Sequence, residues 1–424
     1  MSLSPTQTPS PKPGVAHASP LWAVLAFTFL NSIGSGIIYG GIFFLAISRY
    51  QFTTGQNFAL ALLFGVAYIP GAMGAGPAQR RLRLLGVTPR GILVSMMVMM
   101  ATVCLVPLGV DLIAPGSNSA WTIWLVVAVY SPLSGMMWPI VEAFLAGGRS
   151  DRQLRSATGR FNVVWSSAIV ATMFAMAVFV EMHPLEVIAS LAGIHLLGIA
   201  VVFRLDASPS AHRHEEHHRP VVYRQLLTFL RVMLPVSFMF NSTLSPYMPT
   251  ALANLGVRLE WQTPAAATWY SARVLTFLVM ERRHAWHGRW GTPIAGSLLL
   301  LGSFVWVVLV PVFAPAGIGL WLFLAGLVGF GAGVGIVYAA ALYYAMEVGS
   351  SGVDAGGTHE ALIGIGYSAG PVCGLAGLGA VGCGLVGDRG ASMVTVGVVA
   401  ALALAAGGIA LFRAARVTRK RNDA

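Results

Sequence analysis

Long apolar runs alternate with short polar interruptions along almost the whole chain, from residue 22 to residue 412. A helix needs about 20 mostly apolar residues to cross the hydrocarbon core of a bilayer. Twelve stretches meet that need: 22–47, 57–76, 92–114, 120–146, 161–181, 185–203, 225–256, 263–280, 292–313, 318–346, 358–386 and 391–412. Pro70 and Gly71 interrupt the second, and only the segment around His183 and Pro184 separates the fifth from the sixth. No intervening segment is long enough to bury a core of its own. The pattern predicts an all-α polytopic membrane protein with twelve transmembrane helices and no soluble domain.

The polar segments divide it further. Residues 1–20 are rich in Ser, Thr and Pro, hold one charge (Lys12) and read as a disordered tail. The apolar run that follows is too long for a signal peptide, so span 1 is expected to stay as an anchor. The longest internal polar stretch, 204–224, splits the chain into six-span units at 21–203 and 225–412, and a basic tail occupies 413–424. Within the linker, His212 to Arg219 reads HRHEEHHR. Neighbouring imidazoles can share a metal ion, but no scaffold frames them, and a solvated, pH-sensitive linker is the reading adopted.

Composition sharpens the class. Only 10% of residues are charged and 56% are hydrophobic, with a mean hydropathy of +0.74. Soluble domains carry about 25% charge, so a soluble enzyme, a disordered protein and a nucleic-acid-binding domain are excluded. The net charge of +11 is explained by position. With an even number of spans both termini share one side, and 21 of the 26 Lys and Arg residues fall there. Three (Arg49, Arg258, Arg389) fall on the other side, and Arg231 and Arg273 lie inside spans. This is the positive-inside asymmetry. It predicts cytoplasmic termini in an inner or plasma membrane, with the lipid bilayer and not nucleic acid as the partner. Cys104, Cys373 and Cys383 sit in apolar runs and offer neither a disulfide framework nor a metal cluster.

The two halves echo one another. Asn31-Ser32 recurs as Asn241-Ser242, Arg80-Arg81 as Arg282-Arg283, and Glu142 as Glu347, at offsets of 210, 202 and 205. Duplicated units are a common way to build a transporter with its site at the repeat interface. With twelve spans, a 6+6 division and basic loops after spans 2 and 8, the chain resembles the major facilitator superfamily over residues 20–413. The 2–3 loop, GAGPAQRRLRLLGVTPRG, keeps the Gly and Arg character of that family's loop signature (Gly74, Gly76, Arg80, Arg81, Gly86). It lacks the Asp, for which Gln79 is the nearest substitute. That absence puts the gating salt bridge implied by the motif in question. LRSATGRFNVVWSSA, at 154–168, resembles the family's approach to span 5, with Gly159 and Arg160 at the membrane edge. In span 11, Gly357, Gly366, Gly370, Pro371 and Gly374 follow a spacing that family antiporters carry in span 5, with Leu375 in place of the last Gly. Close helix packing is the reading adopted for them, with an antiporter-type hinge as the alternative. The resemblance implies two six-helix bundles whose spans 1, 4, 7 and 10 line a central cavity.

Charge inside the membrane costs roughly 2.5–3.5 kcal/mol on insertion scales, so each such residue is a candidate. Arg273 lies about eight residues, roughly 12 Å, inside span 8. It suits an anionic substrate group or a carboxylate partner, and Tyr270 shares its face. Glu142, His359 and Glu360 lie about one turn inside spans 4 and 11 and read as gate or proton-coupling groups, or as interfacial residues. His195 reads as a hydrogen-bonded core histidine. Asn31 and Tyr39 among the glycines of span 1, Asn241 and Tyr247 among the prolines of span 7, Trp165 and Tyr367 complete the predicted substrate site. No hydrolase elbow, Walker loop or zinc-protease motif is present. The sequence therefore predicts a non-enzymatic, cofactor-free and metal-free monomer that moves a small molecule by alternating access, powered by gradients. Proton-coupled efflux is the version its carboxylates and glycine pattern favour. The alternative is a sensor or scaffold that keeps the fold without transporting.

Overall fold

The computed structural model describes residues 18–116, 119–210, 220–315, 317–348 and 352–422. The histidine-rich run 212–219 lies outside them. The helices are α1 (Leu21–Tyr50), α2 (Thr54–Leu84), α3 (Pro89–Ile113), α4 (Trp121–Ala146), α5 (Asp151–Met176) and α6 (Pro184–Val202). They continue as α7 (Val221–Asn254), α8 (Leu259–Arg282), α9 (Gly291–Phe313), α10 (Gly319–Val348), α11 (Val353–Gly382) and α12 (Asp388–Asn422). Each predicted span has its helix, and no strand occurs among the described residues. Ten helices are long and apolar enough to cross a membrane; α5 and α8 fall short on composition.

Local chemistry sets the helix ends. Thr53 and Gln56 form a reciprocal cap at the start of α2. From there α2 runs through Pro70 and Pro77 to Leu84, so Arg80, Arg81 and Arg83 sit on its final turns and not in a loop. Positive charge is favoured at that end of a helix. Pro184 opens α6 at its first position, where a missing N–H costs nothing. The α11 helix begins at Val353, five residues earlier than its apolar run, which sets Glu360 two turns deep. Between Gly36 and Gly41, α1 widens into a π-helical turn, a feature often found at functional sites.

Each half packs by one scheme. In the first half α1 contacts α5 and α6, α2 contacts α4, and α3 contacts α6. The second half repeats this with α7 against α11 and α12, α8 against α10, and α9 against α12. The bundles meet chiefly through α2 on α11, α5 on α8, and α4 on α11. Glycines permit the closest approaches. A Cβ at Gly71 of α2 would strike the Pro132 carbonyl of α4, and one at Gly331 of α10 would strike the Trp269 carbonyl of α8, the equivalent pair. Gly366 and Gly370 of α11 lie against α7, where Ser242 and Thr243 donate to their carbonyls at 2.9 and 3.1 Å. The span 11 glycines thus act as packing surfaces. His195 is buried against Tyr130, yet neither ring nitrogen has a hydrogen-bond partner among the described residues. The hydrogen-bonded histidine expected there is an apolar contact.

The end of the molecule that carries most basic residues is stitched together. Ser19 Oγ donates to Asp206 Oδ2 at 2.8 Å, and Arg149 Nη2 donates to the Ser19 carbonyl at 2.6 Å. Arg149 also donates to the Phe144 and Leu145 carbonyls at 2.9 and 2.7 Å. Burial lowers its pKa from the ordinary arginine value. Arg90 donates to the carbonyls of Leu205 and Ala207, both at 3.2 Å. The start of the interbundle linker is therefore pinned to the first bundle.

Candidate functional site

Arg273 is 2% exposed at the α5–α8 interface. Its Nε donates to Ser166 Oγ of α5 at 2.9 Å, while Nη2 has no hydrogen-bond partner. No carboxylate lies within ion-pairing distance of it among the described residues. The guanidinium instead lies 4.3 Å from the centre of the Trp165 ring, 5.1 Å from Tyr270 and 5.2 Å from Trp269. Cation–π contacts of this kind are worth about 2 kcal/mol when desolvated.

A central cavity of about 70 Å³ opens beside Arg273. Of the predicted site residues, Tyr39, Asn241, Tyr270, Trp165, Tyr367, Glu142 and Glu360 line it together with Arg273. Asn31 and Tyr247 do not. Asn31 is one position from Ser32, about 100° round the helix, and Ser32 takes the inward face; Asn31 donates to its own Phe27 carbonyl at 3.0 Å and lies beside Gly198 of α6. Tyr247 is six residues beyond Asn241, which turns it away, and it lines a separate cavity of about 360 Å³ at the opposite end. Ser166, Tyr68, Phe238 and Tyr338 were not among the predicted residues. The three rings line the cavity, and Ser166 holds Arg273. Only the resemblance pointed to any of them, by implying that spans 7 and 10, which carry Phe238 and Tyr338, line the centre. Single tyrosines and serines in apolar runs carry no signal of their own.

The second polar cluster lies toward the basic end. Glu142 of α4 and His359 and Glu360 of α11 are buried and bring one ligand atom each within 4.8 Å of the others. Tyr68 of α2 donates to Glu360 in a short hydrogen bond, and His359 Nε2 has no hydrogen-bond partner. Two carboxylates and an imidazole can share protons or a cation. Both this cluster and the Arg273–Ser166 bond connect the two bundles.

Between the cavity and the basic end lies a vestibule of about 630 Å³, lined by Arg152, Arg155, Asn162, Phe277, His287 and Glu347 among others. Phe277 packs on Trp165 and Tyr338, at ring distances of 5.8 and 5.9 Å, and separates the two spaces. Among the described residues, two ion pairs link the bundles at this end: Arg80–Asp354 at 2.7 Å and Arg155–Glu347 at 3.4 Å. Arg80 thus finds its acid in the other half. At the opposite end Thr54 and Thr250 hydrogen bond at 2.8 Å.

No family model matches the chain, and no curated protein matches it by sequence. Solved structures do. A point mutant of the nucleoside transporter NupG aligns over 91% of this chain and 98% of its own, at 11% identity and a TM-score of 0.64. An inward-facing, unoccupied bacterial homologue of the human lysosomal transporter Spinster aligns over 94% and 97%, at 13% identity and a TM-score of 0.60. Both are transporters, and this chain shares their fold.

Proposed function

We propose that the protein is a secondary active transporter of a small molecule, working as a monomer by alternating access in the inner membrane with both termini cytoplasmic. The observation that carries this reading is that the polar contacts at the cavity cross the bundle interface. Arg273 holds Ser166, Tyr68 holds Glu360, and Glu142 faces His359 and Glu360. A ligand or proton that alters any of them alters how the halves sit together, which is the coupling that alternating access requires. The transporters that share the fold support it, as does the basic asymmetry of the loops.

Protons are the coupling ion in this reading. Two ionised carboxylates within 4.8 Å repel by at least about 3 kcal/mol at an effective dielectric of 20. A shared proton removes that repulsion, and the Tyr68 hydroxyl and the His359 ring offer relay partners. Arg273 faces the substrate, and exchange of substrate for protons gives efflux.

The test is solute-driven proton movement into dye-loaded proteoliposomes, with solutes first chosen by thermal shift of the purified protein. Wild type is expected to move protons with at least one solute. Glu142→Gln and Glu360→Gln are expected to abolish that movement while solute exchange at equal pH persists. Wild-type proton movement in both variants rejects the coupling assignment. Wild-type transport in Arg273→Ala together with Glu142→Gln rejects the site.

A further inference from the structure

The cavity is polar at two ends and aromatic between them. At one end the Arg273 guanidinium is buried, spends Nε on Ser166 and keeps Nη2 without a partner. At the other, Glu142 and Glu360 present carboxylates. The walls are rings: Tyr39 and Tyr367 lie 4.5 Å apart, Phe238 meets Tyr367 at 5.1 Å, and Trp165 meets Tyr338 at 5.3 Å.

From this we propose that the transported solute is a flat aromatic monocarboxylate. The inference rests on the transport site assigned above and names its substrate class. A buried arginine without an acid partner is an uncompensated charge in a medium where charge is costly. A carboxylate on the free side of the guanidinium compensates it through charge-assisted hydrogen bonds. Aromatic walls hold a planar body by edge and face contacts. The space of about 70 Å³ is under half of the roughly 150 Å³ of a cavity that holds one benzene ring, so the bundles part to admit the ring. The acids at the far end disfavour a second negative charge, so a dicarboxylate is rejected, while a neutral hydroxyl there finds acceptors. A neutral heterocycle such as a nucleoside leaves Arg273 uncompensated.

Calorimetric titration of the purified full-length protein at pH 7 tests this with benzoate as the probe. Saturable benzoate binding is expected. Benzamide, terephthalate and uridine are expected to bind at least tenfold more weakly, and cyclohexanecarboxylate severalfold more weakly. Arg273→Gln should weaken benzoate at least tenfold, with Arg273→Lys between it and wild type. Should Arg273→Gln fail to fold, the wild-type ligand series decides alone. Absence of saturable benzoate binding, benzamide or uridine binding as tight as benzoate, or unchanged benzoate affinity in a folded Arg273→Gln protein overturns the proposal. The transport reading fails separately. Selective benzoate binding with no solute movement in vesicles leaves the ligand class of the site standing and removes transport; solute movement without benzoate binding does the reverse.

Discussion

Arg273 was visible in the sequence because a guanidinium in the middle of an apolar run has no ordinary explanation, and Glu142 and Glu360 stood out for the same reason. Their surroundings did not. Ser166 becomes meaningful only when α5 meets α8, and Tyr68 only when α2 meets α11. Asn31 falls outside the cavity lining because one position along a helix is about 100° of rotation, and the phase of α1 is set by packing. Outside the membrane, His287 gives a residue-scale prediction. It stacks on Tyr343 at 4.1 Å. Burial foremost, then the charges of His284 and Arg155, lower its pKa from 6.5 to about 4. The unfolded chain binds that proton near pH 6.5, the folded chain only near pH 4. Between those values the unfolded state holds more protons, so stability falls as pH drops through that window and is untouched above it. His287→Phe keeps the stack and removes the proton site. Its Tm is expected to fall less than the wild type's between pH 6.5 and 4; parallel curves would count against the assignment.

The α5 and α8 helices are the two that fall short of ordinary membrane hydropathy, and they supply Asn162, Trp165, Ser166, Tyr270 and Arg273. The site accounts for part of that deficit, since residues facing a polar cavity need not be apolar, and the charged first turns of α5 account for more. Helix number and order were legible because length and hydropathy fix them. Helix ends were not, because the Thr53–Gln56 cap and the charged final turns of α2 lie outside the apolar runs. The α2–α11 contact yields a prediction at this scale. A Cβ at Gly65 would lie 2.5 Å from backbone atoms of Tyr367 and Ser368, and backbone cannot rotate away. Gly65→Val should either cost about 1–3 kcal/mol as overpacking or push α2 from α11. In an Arg80→Cys/Asp354→Cys background with Cys383 replaced, disulfide yield is expected to drop severalfold on adding Gly65→Val. Unchanged yield and unchanged Tm would show that the helices do not meet as described.

For the whole molecule, the 6+6 division was readable from one polar stretch and three weak echoes, and the pairing of helices repeats between the halves as a duplication requires. How the halves close was not readable, since Arg80–Asp354 joins residues 274 positions apart. That pair is more than half exposed on both sides and contributes about 0–1 kcal/mol. Glu347 has its side chain 4% exposed, and stripping an ion-pair partner from a buried charge is costly. Thiol labelling of Asn162→Cys in the vestibule should therefore quicken more with Arg155→Ala than with Arg80→Ala; the opposite order would place the main latch at α2. Contacts this slight suffice because of the stitching around Ser19, Arg149 and Asp206. With Ser210 lying against Gly147 of the first bundle and α7 opening after Pro220, nine residues separate the halves along the sequence. The ten Cα–Cα steps from Ser210 to Pro220 span at most about 33–36 Å. On so short a tether each half meets the other at an effective concentration of the order of millimolar, so bonds too feeble to hold two separate proteins can still latch this one shut and let it go.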